Sequence, residues 1–271
     1  MKKYLLVAIL GWLLVACNMG KKTLPQDYFT QALSCIDQQN YQQARFYLDS
    51  VHLVFPQEVP ARQRARDLAD SIDYLESKRT VAFTDSVLKK LYAQVDSQMP
   101  FYQYEQKTKY EKYGKYVHKD LRYWRNTFAT FLYAYILDNG QLAVQMHYRG
   151  DQKINIRCVE VFSKNVFNRY VGEHYSFYTD ESWFERMTFD PKDSKKILNF
   201  ISANKESRTV FARLVGRTDI DVPIYRHQIR ALEDTYYLAQ MMEDIKNMER
   251  QLQIGQRKIE RYETKSLLPR P

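Results

Sequence analysis

Glycine and proline are scarce in this chain, eight of each in 271 residues, which excludes a collagen-like repeat or a long Pro/Gly-rich linker. Cysteine is scarcer still, at three residues, too few for a disulfide-stapled scaffold. The histidines, His52, His118, His147, His174 and His227, stand at no metal-ligand spacing, and there is no Cys-x-x-Cys pair. The glycines never fall in a Gly-x-Gly pattern that would cradle phosphate, and there is no Gly-x-Ser-x-Gly elbow. Carboxylates are plentiful but scattered, with no pairing readable along the chain. The expectation is therefore a non-catalytic protein with no metal and no cofactor.

The start of the chain is organised differently. Lys2 and Lys3 precede an apolar run from Leu5 to Ala16, shorter than the roughly 20 residues of a spanning helix. A positive start, a short apolar core and small residues before a cut make a secretion signal. The run closes on Leu14-Val15-Ala16-Cys17, which resembles the lipobox of bacterial lipoproteins. The resemblance implies removal of residues 1–16, a thioether-linked lipid on Cys17 and attachment to a membrane through it. Residues 17–24 then form a tether. Asn18 follows the cysteine where an inner-membrane retention signal would place Asp, and the acidic run of a surface-export tag is missing. The implied location is the cell envelope, at the periplasmic face of the outer membrane.

The chain carries a formal charge of +9, about +7 without the signal. A basic body is drawn to anionic lipid, acidic polysaccharide or nucleic acid, and export leaves nucleic acid out. Cys35 and Cys158 remain after lipidation. An oxidising compartment permits their pairing, but they lie far apart in segments of different character, and two buried free thiols is the preferred reading.

Residues 25–58 read as a helical hairpin. Tyr28 and Ala32 stand four apart, a polar Gln-Gln-Asn turn follows, then Tyr41, Ala44, Leu48 and Val51 at helical spacing before Pro56. This is similar to one tetratricopeptide repeat, departing from it at Gln31 and Cys35. Residues 59–100 read as a long helix, with Leu68, Ile72 and Leu75, then Leu88, Leu91 and Val95, around a weak patch at Arg79 and Thr80. Residues 225–263 behave alike: Leu238, Met241, Ile245, Met248 and Leu252 step by three and four, and Ile259 and Tyr262 keep register past Gly255. That period suits coiled-coil seams, so the two helices are expected to pair antiparallel, each about 55 Å long at 1.5 Å per residue. Residues 264–271 are a tail.

Between them, residues 101–224 read as a β-rich domain. Phe131, Tyr133, Tyr135 and Leu137 share one side of a strand, Asp138-Asn139-Gly140 supplies a tight turn, and Leu142, Val144, Met146 and Tyr148 alternate after it. Ile154, Ile156 and Cys158 keep one parity and Val159 and Val161 the other, as a β-bulge would produce. Further strands are expected at 166–171, 183–189 and 208–215. Asp190-Pro191 opens a short helix with an apolar face of Ile197, Leu198 and Ile201. The sum is α+β: a helical hairpin and a long antiparallel coiled-coil stalk, with a small antiparallel β domain of one sheet and one helix inserted.

Two aromatic clusters are candidate sites. Residues 101–126 interleave tyrosines with lysines and arginines; Tyr110, Lys112, Tyr113, Lys115 and Tyr116 could form a surface for a partner or an acidic glycan, or the tyrosines pack inward while the lysines are solvated. Tyr175, Phe177, Tyr178, Trp183 and Phe184 flank Thr179-Asp180-Glu181-Ser182, as an exposed loop gripping carbohydrate or as core residues beside a turn. The composition and helical repeat resemble, loosely, Bacteroidota lipoproteins. The function expected first is an envelope scaffold or assembly lipoprotein binding another protein. A glycan- or cell-surface-polymer-binding lipoprotein is the alternative, and a cell-wall or glycan hydrolase stands behind both.

Overall fold

The computed structural model describes residues 24–106, 113–121, 130–164, 166–179, 181–207 and 210–267. The chain is α+β and divides into two compact units, one ending at Thr84 and resuming at Gln251, the other running Asp85–Arg250.

In the first unit, α1 (Pro25–Asp37) and α2 (Tyr41–Val54) form the expected hairpin. Gln39 takes a left-handed φ of 58° at the turn, and the Asn40 side chain accepts from the Gln43 N–H at 3.3 Å, capping α2. Ala32, Ala44 and Ala65 are fully buried together with Leu48, Val51 and Ile72; small residues let helices approach closely enough for the large ones to interlock. Ala65 and Ile72 belong to α3 (Val59–Gln98), so the hairpin is roofed by a third helix. The buried aromatic is Phe29, whereas Tyr28 is half-buried and meets Phe55 edge-on at 5.8 Å. Arg45 of α2 ties to α3 through Asp73 and, at 2.7 Å, Glu76.

The seam of α3 runs through the weak patch on small residues. Ser77 and Thr84 are buried and Val81 half-buried between Ile72 and Leu88, and from Ser77 through Val81 and Thr84 to Leu88 the steps are four, three and four. The partner helix is α5 (Arg226–Leu267), on which Gly255 is buried in register with Leu252, Ile259 and Tyr262. A Cβ at Gly255 would lie 2.7 Å from Val81 Cγ2, so the glycine is what admits Val81 to the contact. In the first unit Ser71 and Tyr262 hydrogen-bond at 2.9 Å, and Tyr74 stacks on Tyr262 at 4.6 Å. In the second, Tyr92 donates to Glu249. Both sets run antiparallel.

The second unit holds two antiparallel sheets where one was expected. The larger has strand order β1 (Tyr102–Glu105), β2 (Lys115–His118), β3 (Phe131–Leu137), β4 (Leu142–Gly150), β8 (Ser182–Thr188), β7 (Glu173–Thr179). The smaller is β10 (Ile220–Pro223), β9 (Val210–Val215), β5 (Cys158–Ser163), β6 (Val166–Tyr170). Leu132, Ala134, Ile136, Val144, Met146 and Met187 from the first, and Val159, Val161, Ala212 and Leu214 from the second, join α4 (Pro191–Ala203) and Ile229–Ala239 of α5 in one core. The Asp190 side chain caps α4 by accepting from the Asp193 N–H at 2.7 Å. Ser194, fully buried, accepts from the Val144 N–H, so a polar residue under the sheet costs no unmet hydrogen bond.

Three readings need correction. The parity change between Cys158 and Val159 is not a bulge: residues 153–157 are not a strand, and β5 begins at Cys158 and pairs with β9 residue for residue. Residues 173–179 are an edge strand rather than a loop. Cys35 is half-buried rather than buried; Cys158 is buried, and both are free thiols. Burial also pushes the Cys158 thiol pKa up, away from the thiolate that reacts.

Candidate functional site

The hairpin of β7 and β8 places the second aromatic cluster at the end of the larger sheet. Strand pairing assigns its faces. Tyr175 lies opposite Arg186 and Phe177 opposite Phe184, on the outer face that continues to His147 and Arg149 of β4. Tyr178 lies opposite Trp183, on the face that carries the core. Phe177 and Phe184 stack at 5.1 Å with rings 4° apart, and Tyr175 adjoins Phe177 at 5.7 Å. Cations lean on these rings: Arg186 over Tyr175 at 5.5 Å, Arg149 over Phe184 at 4.7 Å and Lys153 over Trp183 at 4.9 Å. Each such contact is worth roughly 0.5–1 kcal/mol at an exposed site.

These aromatics are not core. Tyr175 is 54% exposed, Phe177 43% and Tyr178 57%, and every other residue of β7 except Ser176 is exposed too. The strand before it is alike. In β6, Val166 and Phe167 are exposed, and Val171 follows in the link. Residues 166–179 thus form an extended ribbon that edges the smaller sheet, crosses at Val171-Gly172 and edges the larger one. Gly172 permits the crossing: a Cβ there would sit 2.3 Å from the Thr188 carbonyl oxygen, backbone that cannot yield. Among the described residues no strand lies beyond β6 or β7.

Behind β7, Glu185 is the anchor. It is buried, and its carboxylate accepts from the N–H groups of Ile154, Asn155 and Ile156 at 2.6–2.9 Å. His174 of β7 meets the same carboxylate at 2.8 Å. A charge this deep is tolerated because each oxygen is hydrogen-bonded. Ile154 and Ile156 are thereby buried without belonging to a strand, and the alternation read as a bulge is this loop.

The first aromatic cluster is divided. Cys17, Tyr110 and Lys112 lie outside the described residues. Lys115, on β2, lies 5.2 and 5.1 Å over the rings of Tyr133 and Tyr135 and 3.7 Å from Glu105, so its charge is engaged within the sheet. Tyr116 is half-buried against Tyr104 at 5.2 Å, and Tyr113 is 38% exposed. Of the second cluster, Tyr175, Phe177 and Tyr178 lie on the ribbon, while Trp183, half-buried beneath Tyr178, and Phe184 lie beside it on β8. The residues missed were Arg149, Lys153 and Arg186, whose rings lie 35, 30 and 11 positions away along the chain and are reached only through strand pairing and the loop after β4.

One titratable cluster lies at the other end of the sheet. His118 is buried, its Nδ1 accepts from the Asp120 N–H at 3.2 Å, and its Nε2 is 3.9 Å from Asp234. Burial depresses the His118 pKa and raises that of Asp234. Asp120, Asp234 and Lys119 are the charges acting on it. Among the described residues no group of three His, Cys, Asp or Glu could hold a metal ion, and no helix is long and apolar enough to cross a membrane. No family model, no curated protein and no solved structure matches the chain.

Proposed function

We propose that the chain is a non-catalytic lipoprotein of the cell envelope, held to the membrane by a lipid on Cys17, which binds another protein. The observation that carries the partner is the ribbon of residues 166–179. It presents six large apolar side chains to solvent: Val166, Phe167, Val171, Tyr175, Phe177 and Tyr178. Exposed apolar surface gathered in one place marks an interaction site, and an open strand edge offers backbone donors and acceptors as well. The net positive charge and the lipobox resemblance support residence beside anionic envelope surfaces.

A photo-crosslinking residue placed at Tyr175 or Phe177 in cells making the full chain tests this. The expected result is one discrete protein adduct, absent when the same residue replaces exposed Gln63 on α3. Adducts to polysaccharide alone would move the reading to glycan binding, and no adduct at either position would overturn it. Labelled palmitate should enter the chain and be lost in Cys17→Ala; failure to label would remove the anchor.

A further inference from the structure

We propose that β7 is a docking strand for an acidic, extended segment of another polypeptide, which adds to the larger sheet as a seventh strand. The proposal rests on the protein-binding reading and names the chemistry of the partner.

Three observations converge. The first is the backbone. β7 ends the strand order and pairs residue for residue with β8 from Glu173 to Thr179, without a bulge. No other backbone hydrogen bond involves it among the described residues. In an antiparallel edge strand alternate residues aim their N–H and C=O groups away from the sheet, ready to pair with an incoming chain.

The second is the lack of protection. Edges are normally blunted by lysine, proline, bulges or shortness. β7 has seven residues and contains no Lys, Arg or Pro. Its exposed aromatics lie on both faces, Tyr175 and Phe177 on one and Tyr178 on the other. A glycan resting on the sheet would use one face only. A strand alternates its side chains and uses both.

The third is charge. Each face is backed by a cation: Arg186 on the outer face, over Tyr175, and Lys153 on the other, over Trp183. Neither has a hydrogen bond or ion pair among the described residues. Arg186 starts on β8 but leans over β7, one strand spacing of about 4.8 Å nearer the edge. The single carboxylate of β7 is Glu173 at its end. An added strand therefore meets uncompensated positive charge on both sides, and acidic residues on both of its faces would answer it. A second copy of this chain fits less well. Pairing β7 with itself about Ser176 sets Glu173 against Thr179, away from Arg186, and adds no other carboxylate.

The test uses full-length protein and fluorescein-labelled nonapeptides of alternating β-branched and acidic residues. The probes are the acidic peptide, its Gln-for-Glu counterpart, and the acidic peptide N-methylated at alternate backbone nitrogens. Saturable binding of the first is expected, weaker by about fivefold for the Gln peptide, as one exposed ion pair per face allows, and lost on N-methylation. The Arg186→Ala/Lys153→Ala variant should erase the preference for acid while leaving Gln-peptide binding intact, which also shows that the sheet is folded. Equal binding of the N-methylated peptide would overturn strand addition. Competition by polygalacturonate but not by peptide would overturn it in favour of a glycan, and a dimer broken by Tyr175→Lys would overturn it in favour of a second copy. If none of the peptides binds but the Tyr175 crosslink still yields a protein adduct, the acidic-strand proposal falls and the protein-binding reading stands.

Discussion

The two ends of the larger sheet are built to opposite rules. At one end β1 has four residues, Tyr102 is buried, and Glu105 faces Lys115 across the strand pair. It is short and charged, which are ordinary defences of an edge. At the other end β7 is nearly twice as long, carries no Lys or Arg and exposes Tyr175, Phe177 and Tyr178. Beside it, Glu185 satisfies three consecutive backbone donors of the 154–156 loop. The same chain closes backbone groups with care at one strand's remove and, among the described residues, leaves the outer edge of β7 without a strand partner. An open edge next to a fully satisfied loop is a feature of the fold and not a failure to finish it.

The largest expected effect breaks the satisfied side. Glu185→Ala orphans the buried N–H groups of Ile154 and Ile156, the partly buried one of Asn155 and the His174 contact, and should cost about 3–5 kcal/mol, read as the shift in urea midpoint. Glu185→Gln, which keeps acceptor oxygen, should cost less; equal losses would mean that the carboxylate fills space and does not serve as an acceptor. Next is Gly172→Ala at the crossing between sheets. Its methyl would meet the Thr188 carbonyl, and forced overpacking costs about 1–3 kcal/mol. A neutral result would show that the ribbon shifts freely.

The guarded end has its own signature in pH. Burial holds the folded pKa of His118 below its ordinary value of 6.5, so the unfolded chain binds more protons between the two values. The stability linked to His118 is complete above pH 6.5 and is lost as pH falls through the folded pKa. Asp234, raised by burial, acts oppositely: its contribution is present below its ordinary 3.8 and lost as pH rises through its folded value. Thermal melts of His118→Gln should therefore fall less than those of the parent on acidification from pH 7 to 5. Parallel curves would place the acid sensitivity elsewhere.

Local pattern revealed what local physics controls. The hairpin, both long helices, the cap at Asp190 and the turn at Gly140 follow from spacing, capping and backbone freedom within a few residues. Even the weak patch at Arg79 and Thr80 was honest: the seam there is made of Ser77, Val81 and Thr84, facing Gly255, and small residues give little hydrophobic signal. The division into two sheets was not readable, because β4 pairs with β8 across 33 or more positions and parity within a strand does not name its neighbour. The same limit hid the site. Tyr175 and Phe177 stand out as aromatics, but whether they are core depends on no strand pairing beyond β7 among the described residues, and an absent neighbour leaves no mark in composition.

The smallest expected effect separates an edge built for a partner from one that merely holds itself together. Cross-strand pairs of the Tyr175–Arg186 kind contribute roughly 0.2–1 kcal/mol, and the Tyr175 ring is already about half in water. Tyr175→Lys should therefore leave the melting temperature within a few degrees of the parent. It also installs the guarding charge that β7 lacks, so it should remove the Phe177 crosslink to the protein partner while the fold persists. A loss of stability as large as that of Gly172→Ala would say the opposite: that the aromatics serve the hairpin, that Arg186 and Phe177 stabilise the strand pair for its own sake, and that the exposure of β7 has no partner to explain it.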